Sequence, residues 1–242
     1  VCLKELLEQN FNILAVVTTA DKKAGRGKKL RSSEVKNFAL QNGLNLFQPK
    51  NMKDHLFIEK IKSLKPDFII VVAFRMIPKI IWEIPDFGTI NLHASLLPNY
   101  RGAAPINWTI INNEKFTGVS TFFINEKIDS GDILLQKRIE ISEKETAGSL
   151  HDKLSLQGSK LLCETINKLS KNKIEAKPQN FSHGVKLAPK INSENSHINL
   201  KKRLNEINSM IRGLSPSPGA WVELYNKKTS IIMKIFDSDT VI

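Results

Sequence analysis

The chain has 242 residues, of which 41% are hydrophobic, and it carries two cysteines and a formal net charge of +12. This length accommodates one large domain or one domain with a second, smaller one. No apolar run reaches the ~18–20 residues that a membrane span needs. The cysteines form no CxxC pair, which favours a reducing, cytoplasmic compartment over a disulfide scaffold. The positive charge fits a polyanionic partner such as a nucleic acid, and the high Lys, Asn and Ile content equally fits the codon bias of an AT-rich genome.

The apolar pattern predicts alternating strands and helices up to residue 170. Ser33, Asp54 and Thr146 are placed to cap the helices that follow them. Strand–helix alternation is typical of βαβ units, so we expect an α/β, Rossmann-like open sheet, mostly parallel, with helices on both faces. In chain order the predicted elements are a helix over 1–8, a strand over 11–17, a basic loop over 18–32, a helix over 34–42, strand 44–48, helix 54–64, strand 67–73, short helix 78–82, strand 88–93, helix 104–112, strands 119–125 and 132–141, and helix 146–169.

The composition changes after residue 170. Residues 171–197 are polar and show no sustained periodicity, which predicts a linker between an α/β domain over 1–170 and a second unit over 198–242. In that unit a helix over 200–213, with Leu204, Ile207 and Ile211 facing inward, precedes strands over 220–225 and 230–236. These elements predict the start of a small, OB-like β-barrel.

Two polar residues lie at the end of the predicted strand 88–93. Asn91 and His93 are two positions apart, so alternation directs both side chains to the same face. The carboxyl ends of strands are where ligands bind in open α/β sheets. An amide can donate to a developing oxyanion and an imidazole can move a proton near neutral pH. A purely structural role for both residues stays open at this point.

Asp129 lies in the sequence IDSGDI, between two predicted strands. Asp followed by Ser-Gly is ordinary turn chemistry. The residue is of interest because it shares a sheet with Asn91 and His93, where its carboxylate could orient the imidazole. The remaining histidines have no metal-ligand spacing, and we expect no metal. Neither cysteine lies beside a plausible base, and no Gly-x-Ser-x-Gly elbow occurs, which argues against covalent catalysis.

The predicted basic loop contains AGRGKKL, which fits neither a Walker motif nor a dinucleotide fingerprint. Arg26, Lys28, Lys29 and Arg31 concentrate positive charge within it. The loop follows a strand's carboxyl end, so we favour contact with a nucleic-acid backbone over a solvated basic surface.

The sequence NLHASLLPNYRGAAPINW, with IDSGDI beyond it, resembles the formyltransferase family that uses 10-formyltetrahydrofolate. AGRGKKL, VVAFRMIP and the later IRGLSPSPGAW resemble the members of that family that formylate initiator methionyl-tRNA. The resemblance covers essentially the whole chain. It implies formyl transfer to that tRNA, with folate as co-substrate, by a cytoplasmic enzyme that is expected to be a monomer without membrane association.

The resemblance also implies roles for individual residues. Asn91, His93 and Asp129 match the catalytic Asn-His-Asp trio. At residues 74–76 the chain has FRM where many relatives have YGL. This departure bears on the finer folate contacts that the resemblance implies and not on the chemistry. The implied folate-binding residues are Val72, Ala73, Phe74, Met76, Ile77, Ser95, Leu96, Leu97 and Pro98. The implied tRNA-binding residues are Arg26, Lys28, Lys29, Arg31, Lys190 and Arg212.

Two other functions remain open as alternatives. A formyltetrahydrofolate hydrolase or another formyltransferase of the family would use the same trio, but a hydrolase needs neither the basic loop nor the second domain. A non-catalytic RNA-binding protein would not need the trio.

The helix over 1–8 also leads us to expect a preceding strand in the sheet, since a right-handed βαβ unit crosses over from one. The chain is therefore expected to be a fragment lacking both termini.

Overall fold

The computed structural model of the chain describes residues 1–24, 29–182, 184–226 and 229–239, and it describes only the backbone of residues 22–24 and 29–31. The helices are α1 (Cys2–Glu8), α2 (Glu34–Gln41), α3 (His55–Ser63), α4 (Lys79–Trp82), α5 (Pro105–Ile111), α6 (Ala147–Leu169) and α7 (Leu204–Leu214), with a 3₁₀ turn at Glu194–Ser196. The strands are β1 (Val16–Val17), β2 (Lys22–Ala24), β3 (Lys29–Arg31), β4 (Leu46–Phe47), β5 (Ile69–Val72), β6 (Thr89–His93), β7 (Arg101–Gly102), β8 (Phe116–Phe123), β9 (Ile133–Glu140), β10 (Leu187–Ala188), β11 (Ala220–Tyr225) and β12 (Ser230–Ile235).

The central sheet has four strands in the order β5-β6-β8-β9. β5 and β6 are parallel, whereas β6–β8 and β8–β9 are antiparallel. The prediction of a mostly parallel sheet is therefore wrong for this sheet. β8 ends at Phe123 and β9 begins at Ile133, and a connection of this length joins antiparallel neighbours, because a parallel pair needs a crossover of a dozen or more residues.

β1 is much shorter than the strand predicted over residues 11–17. It pairs in parallel with β4, and in the described part of the chain no ladder joins this pair to the central sheet. Phe11 and Ile13 instead pack against a cluster that contains Leu6 of α1 and Leu162 of α6. The same cluster contains Ile90 of β6 and Leu134 of β9, so their apolar character reflects packing between the helices and the central sheet. The upstream strand stays a prediction.

The predicted helix starts are confirmed. Ser33 accepts a hydrogen bond from the Lys36 amide, and Asp54 accepts one from the Phe57 amide. Thr146 caps α6 in a reciprocal arrangement with Ser149. Each cap satisfies an amide that the first helical turn leaves without an intrahelical partner.

The longest helix, α6, covers one face of the central sheet. Its Leu150, Leu154 and Leu161 pack in a core cluster with Val119 of β8 and Ile139 of β9. None of the helices in the described ranges combines the length and apolarity that crossing a bilayer requires.

The basic loop predicted over 18–32 is not wholly irregular. β2 and β3 lie within it and pair antiparallel, with Lys22 opposite Arg31. Residues 25–28, at the turn, lie outside the described residues.

The segment predicted as a linker, residues 171–197, is called the connecting segment below. Most of its described residues are exposed, but Gln179, Ala188 and Ser196 are buried. Its β10 pairs in parallel with β7, and Lys177 bridges to Ile133 at the start of β9. Such contacts are long-range and leave no periodicity in the sequence.

The second unit consists of α7 and the antiparallel pair β11–β12. Ile211 and Leu214 pack against Ala220 and Val222 in a separate core cluster. The prediction that Leu204 faces inward is wrong, since it is 64% exposed. Leu204 is the first residue of α7, and its side chain is directed toward the helix start, beyond this core. In the described residues the second unit contains no closed barrel.

Candidate active site

Asn91 and His93 lie side by side at the end of β6, the strand between β5 and β8. Asn91 is opposite Val71 and Phe122, and His93 is opposite Ser120. Both residues line the same cavity. The expectation that alternation places the two side chains together is confirmed.

His93 is held by the backbone of the loop that follows β6. The side chain is nearly buried, and its Nε2 lies 2.8 Å from the carbonyl oxygen of Tyr100. A carbonyl oxygen only accepts hydrogen bonds, so Nε2 is the donor and carries a proton. Nδ1 is therefore the ring nitrogen that is left for proton exchange.

Asp129 lies beside the other ring nitrogen. Its Oδ2 is 3.7 Å from His93 Nδ1 and accepts a hydrogen bond of 3.0 Å from the Gly102 amide. Asp129 has a φ of 49°, in the left-handed region that residues other than glycine rarely adopt. The turn therefore holds this carboxylate in an unfavourable backbone conformation, which is common at functional sites.

Tyr100, whose carbonyl holds His93, is itself firmly anchored. Its hydroxyl donates to Glu114 Oε1 and accepts from Asn112, and its amide donates to the Lys186 carbonyl at 2.6 Å. Burial and the bond to Glu114 raise the pKa of the Tyr100 hydroxyl, which stays neutral. The tyrosine therefore fixes the backbone that orients the imidazole.

Asn91, His93 and Asp129 open onto a cavity of about 700 Å³. This volume is within the ~300–1,000 Å³ that is usual for small-molecule sites. All five residues predicted from VVAFRMIP to contact the pterin line it, and they follow or end β5, next to β6. These residues are Val72, Ala73, Phe74, Met76 and Ile77.

The four residues Ser95, Leu96, Leu97 and Pro98, also predicted to lie beside the folate, are not among the residues that line the cavity. Ser95 and Leu97 are buried. The Ser95 carbonyl accepts from the Ser120 hydroxyl, and the Leu97 carbonyl accepts from the Gln136 amide. This turn therefore packs against β8 and β9, and its contact with the folate stays a prediction.

Other lining residues were missed by the sequence analysis. His151, Leu154 and Ser155 reach the cavity from α6, and Ala104 and Ile106 reach it from the start of α5. Positions 151, 154 and 155 have the spacing of one helix face. That spacing indicates a shared face but does not reveal that the face borders a cavity.

Only some of the residues predicted to bind tRNA have side chains that the structure describes. Arg26 and Lys28 lie outside the described residues, and Lys29 and Arg31 lie in β3, of which only the backbone is described. Lys190 is exposed near the end of the connecting segment.

The side chain of Arg212 is partly buried and bonds within the protein. Its guanidinium donates to the Glu145 carbonyl at 2.8 Å and to Asn208 Oδ1 at 2.9 Å. Burial also lowers the pKa of Arg212. The bond to Glu145 fastens α7 to the residues that precede α6, and the tRNA contact of Arg212 stays a prediction.

In the described ranges, no group of three or more His, Cys, Asp or Glu side chains is arranged to hold a metal ion. The expectation of a metal-free site stays a prediction.

Residues 2–166 match the family model for formyl transferase, and residues 190–240 match the model for the formyl transferase C-terminal domain. The methionyl-tRNA formyltransferase of Flavobacterium johnsoniae is 48% identical over 236 residues, which cover 98% of this chain and 75% of the relative. That of Thermodesulfovibrio yellowstonii is 48% identical over 231 residues, 95% of this chain and 74% of the relative.

Solved structures agree on the fold. A 4-N formyltransferase from Francisella tularensis has a TM-score of 0.67 at 18% identity, covering 87% of this chain and 86% of that one. HypX from Aquifex aeolicus, in complex with tetrahydrofolic acid, has a TM-score of 0.62 at 18% identity, and the match covers 76% of this chain and 32% of that one.

Proposed function

The chain belongs to the formyl transferase family, and we propose that its Asn91, His93 and Asp129 carry out formyl transfer to methionyl-tRNA. The reaction moves the formyl group of 10-formyltetrahydrofolate to the amino group of initiator methionyl-tRNA, which provides N-formylmethionyl-tRNA for translation initiation. The observation that supports the three residue roles is their convergence on one cavity, with Asp129 3.7 Å from the imidazole of His93.

Asn91 and His93 are placed to stabilise the charge that develops during transfer. Attack of the methionyl amine on the formyl carbon turns the formyl oxygen into an oxyanion. The Asn91 amide and a protonated His93 Nδ1 are the donors that we assign to that oxygen. Each donor of this kind contributes on the order of 3 kcal/mol to transition-state stabilisation.

Asp129 has two parts in the proposal. Its carboxylate orients the imidazole of His93, and it accepts the proton that the attacking amine releases, directly or through a water molecule. The transfer is complete when the bond from the formyl carbon to the folate nitrogen breaks and that nitrogen takes up a proton. The Gly102 amide and the Tyr100 carbonyl keep the two side chains in place for these steps.

The apolar wall of the cavity fits the aromatic part of the folate. Val72, Phe74 and Ile77 offer apolar contact area next to the end of β6, and Met76 is 72% exposed at the cavity mouth. The Arg75 guanidinium lies 5.6 Å above the ring of Phe74. We assign the folate to this wall, which places its formyl group near Asn91 and His93.

The basic residues are the proposed contacts of the tRNA backbone. Arg26, Lys28, Lys29 and Arg31 would meet the acceptor end, and exposed Lys190 would meet the tRNA near the second unit. β11 and β12 are proposed as the beginning of an OB-like barrel that extends this surface. The proposal takes the enzyme as a monomer, because the trio and the cavity lie within one chain.

Transfer of labelled formyl from 10-formyltetrahydrofolate to charged initiator tRNA tests the function directly. We expect formylated methionyl-tRNA as the product, and unchanged activity after exhaustive treatment with EDTA, because an amide, an imidazole and a carboxylate supply the donors and the proton acceptor. Activity that EDTA abolishes and zinc restores would contradict the metal-free mechanism. Release of formate without formylated tRNA would indicate the hydrolase instead.

Replacing Arg26, Lys28 and Lys29 together by alanine is expected to weaken tRNA binding and leave folate binding unchanged. If all three contact phosphates, the slope of log affinity against log salt should fall by roughly 2–3 units. Titrations of tRNA at several salt concentrations measure this slope. The matched control replaces three exposed lysines, Lys50, Lys53 and Lys60, which removes the same charge elsewhere. Equal changes in both variants would mean that the loop acts through net charge alone.

A further inference from the structure

The connecting segment contacts the two loops that carry the proposed active site. Its first contact is with the Asp129 turn and its second is with residues 100–104, the loop that holds His93. Both contacts join parts of the chain that are far apart in sequence. The segment therefore does more than separate two domains.

The first contact is made by Gln179. Its side chain is buried, and its Nε2 donates to the carbonyl oxygens of Asp129 at 3.0 Å and of Gly131 at 2.8 Å. The neighbouring Lys177 forms paired backbone hydrogen bonds of 2.8 Å with Ile133. One amide thus spans the turn on which Asp129 is held at a φ of 49°. A residue in this region keeps its conformation only where its surroundings enforce it.

The second contact is made by residues 186–188. The Tyr100 amide donates to the Lys186 carbonyl at 2.6 Å, and the Ala104 amide donates to the Ala188 carbonyl at 3.2 Å. Between these bonds, the Tyr100 carbonyl accepts from His93 and the Gly102 amide donates to Asp129. The segment therefore fixes the backbone on the far side of the imidazole as well.

We propose that the connecting segment sets the His93–Asp129 geometry, and that Gln179 is the positioning residue for Asp129. This inference rests on the proposed roles of His93 and Asp129. Gln179 does not touch the reacting atoms, and it acts by holding the turn that carries the carboxylate. Since small displacements of reacting groups are costly, loss of this amide lowers turnover without weakening substrate binding.

The test compares Gln179→Met and Gln179→Glu with the wild type in the intact enzyme. Met keeps most of the volume and loses the donor, so kcat should fall about ten- to one-hundredfold while KM for each substrate stays near its wild-type value. Glu places a carboxyl oxygen against the Asp129 and Gly131 carbonyls, and that oxygen can donate a hydrogen bond only when the carboxyl group is protonated. Its kcat relative to wild type should therefore rise as the pH falls, which a merely structural role would not produce.

Trp108→Phe is the matched control, because Trp108 of α5 also bonds to the connecting segment. Trp108 Nε1 donates to the Pro189 carbonyl at 2.7 Å, so the variant removes one hydrogen bond to the segment and leaves the bonds from Gln179 to the Asp129 turn in place. It should keep a near-normal kcat and the wild-type pH profile. Thermal unfolding of all variants shows whether any has lost its fold; if Gln179→Met has, the pH dependence of Gln179→Glu decides.

The outcomes separate this inference from the proposed function. An active wild type whose folded Gln179 variants have normal kcat and an unchanged pH profile overturns the positioning role and leaves the trio intact. Near-normal turnover in a folded His93 or Asp129 variant overturns the proposed site, and the positioning role with it. A low kcat in Trp108→Phe equal to that of Gln179→Met would show that general loosening, and not the Asp129 turn, sets the rate.

Discussion

Replacing His93 by alanine is expected to abolish formyl transfer while the protein stays folded. The variant loses both the donor to the oxyanion and the partner of Asp129, and loss of one such donor alone costs about 10²–10³-fold in kcat. The same loss is expected for Asn91→Ala and Asp129→Ala. Single-turnover formylation of charged tRNA, with circular dichroism and thermal unfolding on the same samples, measures both activity and fold.

Two further variants make this result specific. Asp129→Asn keeps an oxygen that can accept from the Gly102 amide, so it preserves the turn and removes only the charge and the proton acceptor. We expect it to be nearly as inactive as the alanine variant. His55→Ala makes the same substitution at an exposed position of α3 and should leave turnover unchanged. Near-normal turnover in any folded variant of the trio would contradict its assigned role.

The parts of the site that the sequence could predict are those with a local signal. Alternation along β6 is enough to place Asn91 and His93 on one face, and the run VVAFRMIP is enough to place residues at the neighbouring strand end. Helix caps such as Ser33 and Thr146 are equally local, since the side chain bonds an amide three residues away. Each of these predictions depends on chain geometry over a few residues.

The parts that it could not predict depend on contacts between distant residues. Tyr100 acts through its backbone carbonyl, which has no residue-specific signal, and its anchor Lys186 lies 86 positions further on. Gln179 lies in a polar stretch that resembles a solvated linker. The Ser95 and Leu97 carbonyls likewise accept hydrogen bonds from Ser120 of β8 and Gln136 of β9, contacts that no local pattern in the sequence indicates.

Gly102→Ala should lower both the activity and the stability of the enzyme. Gly102 has a φ of 122°, which alanine avoids, and a Cβ at this position would lie 2.5 Å from the Ala188 carbonyl oxygen. The backbone must therefore move away from β10, which withdraws the Gly102 amide from Asp129 and shifts the neighbouring Tyr100 carbonyl from His93. We expect kcat to fall about 10²-fold or more, with a loss of about 1–3 kcal/mol in the free energy of unfolding.

Gly43→Ala separates these two effects. Gly43 has a φ of 65°, and the position that an alanine methyl group would take there is open space, with no contact within 4 Å. Alanine at this position therefore has the backbone strain without the collision. We expect a loss of about 1 kcal/mol in the free energy of unfolding and a wild-type kcat. Denaturant titrations and single-turnover transfer on both variants measure the two quantities. If Gly102→Ala were as active as Gly43→Ala, the backbone of β7 would not hold the catalytic pair, and the geometry of His93 and Asp129 would depend on their own side chains alone.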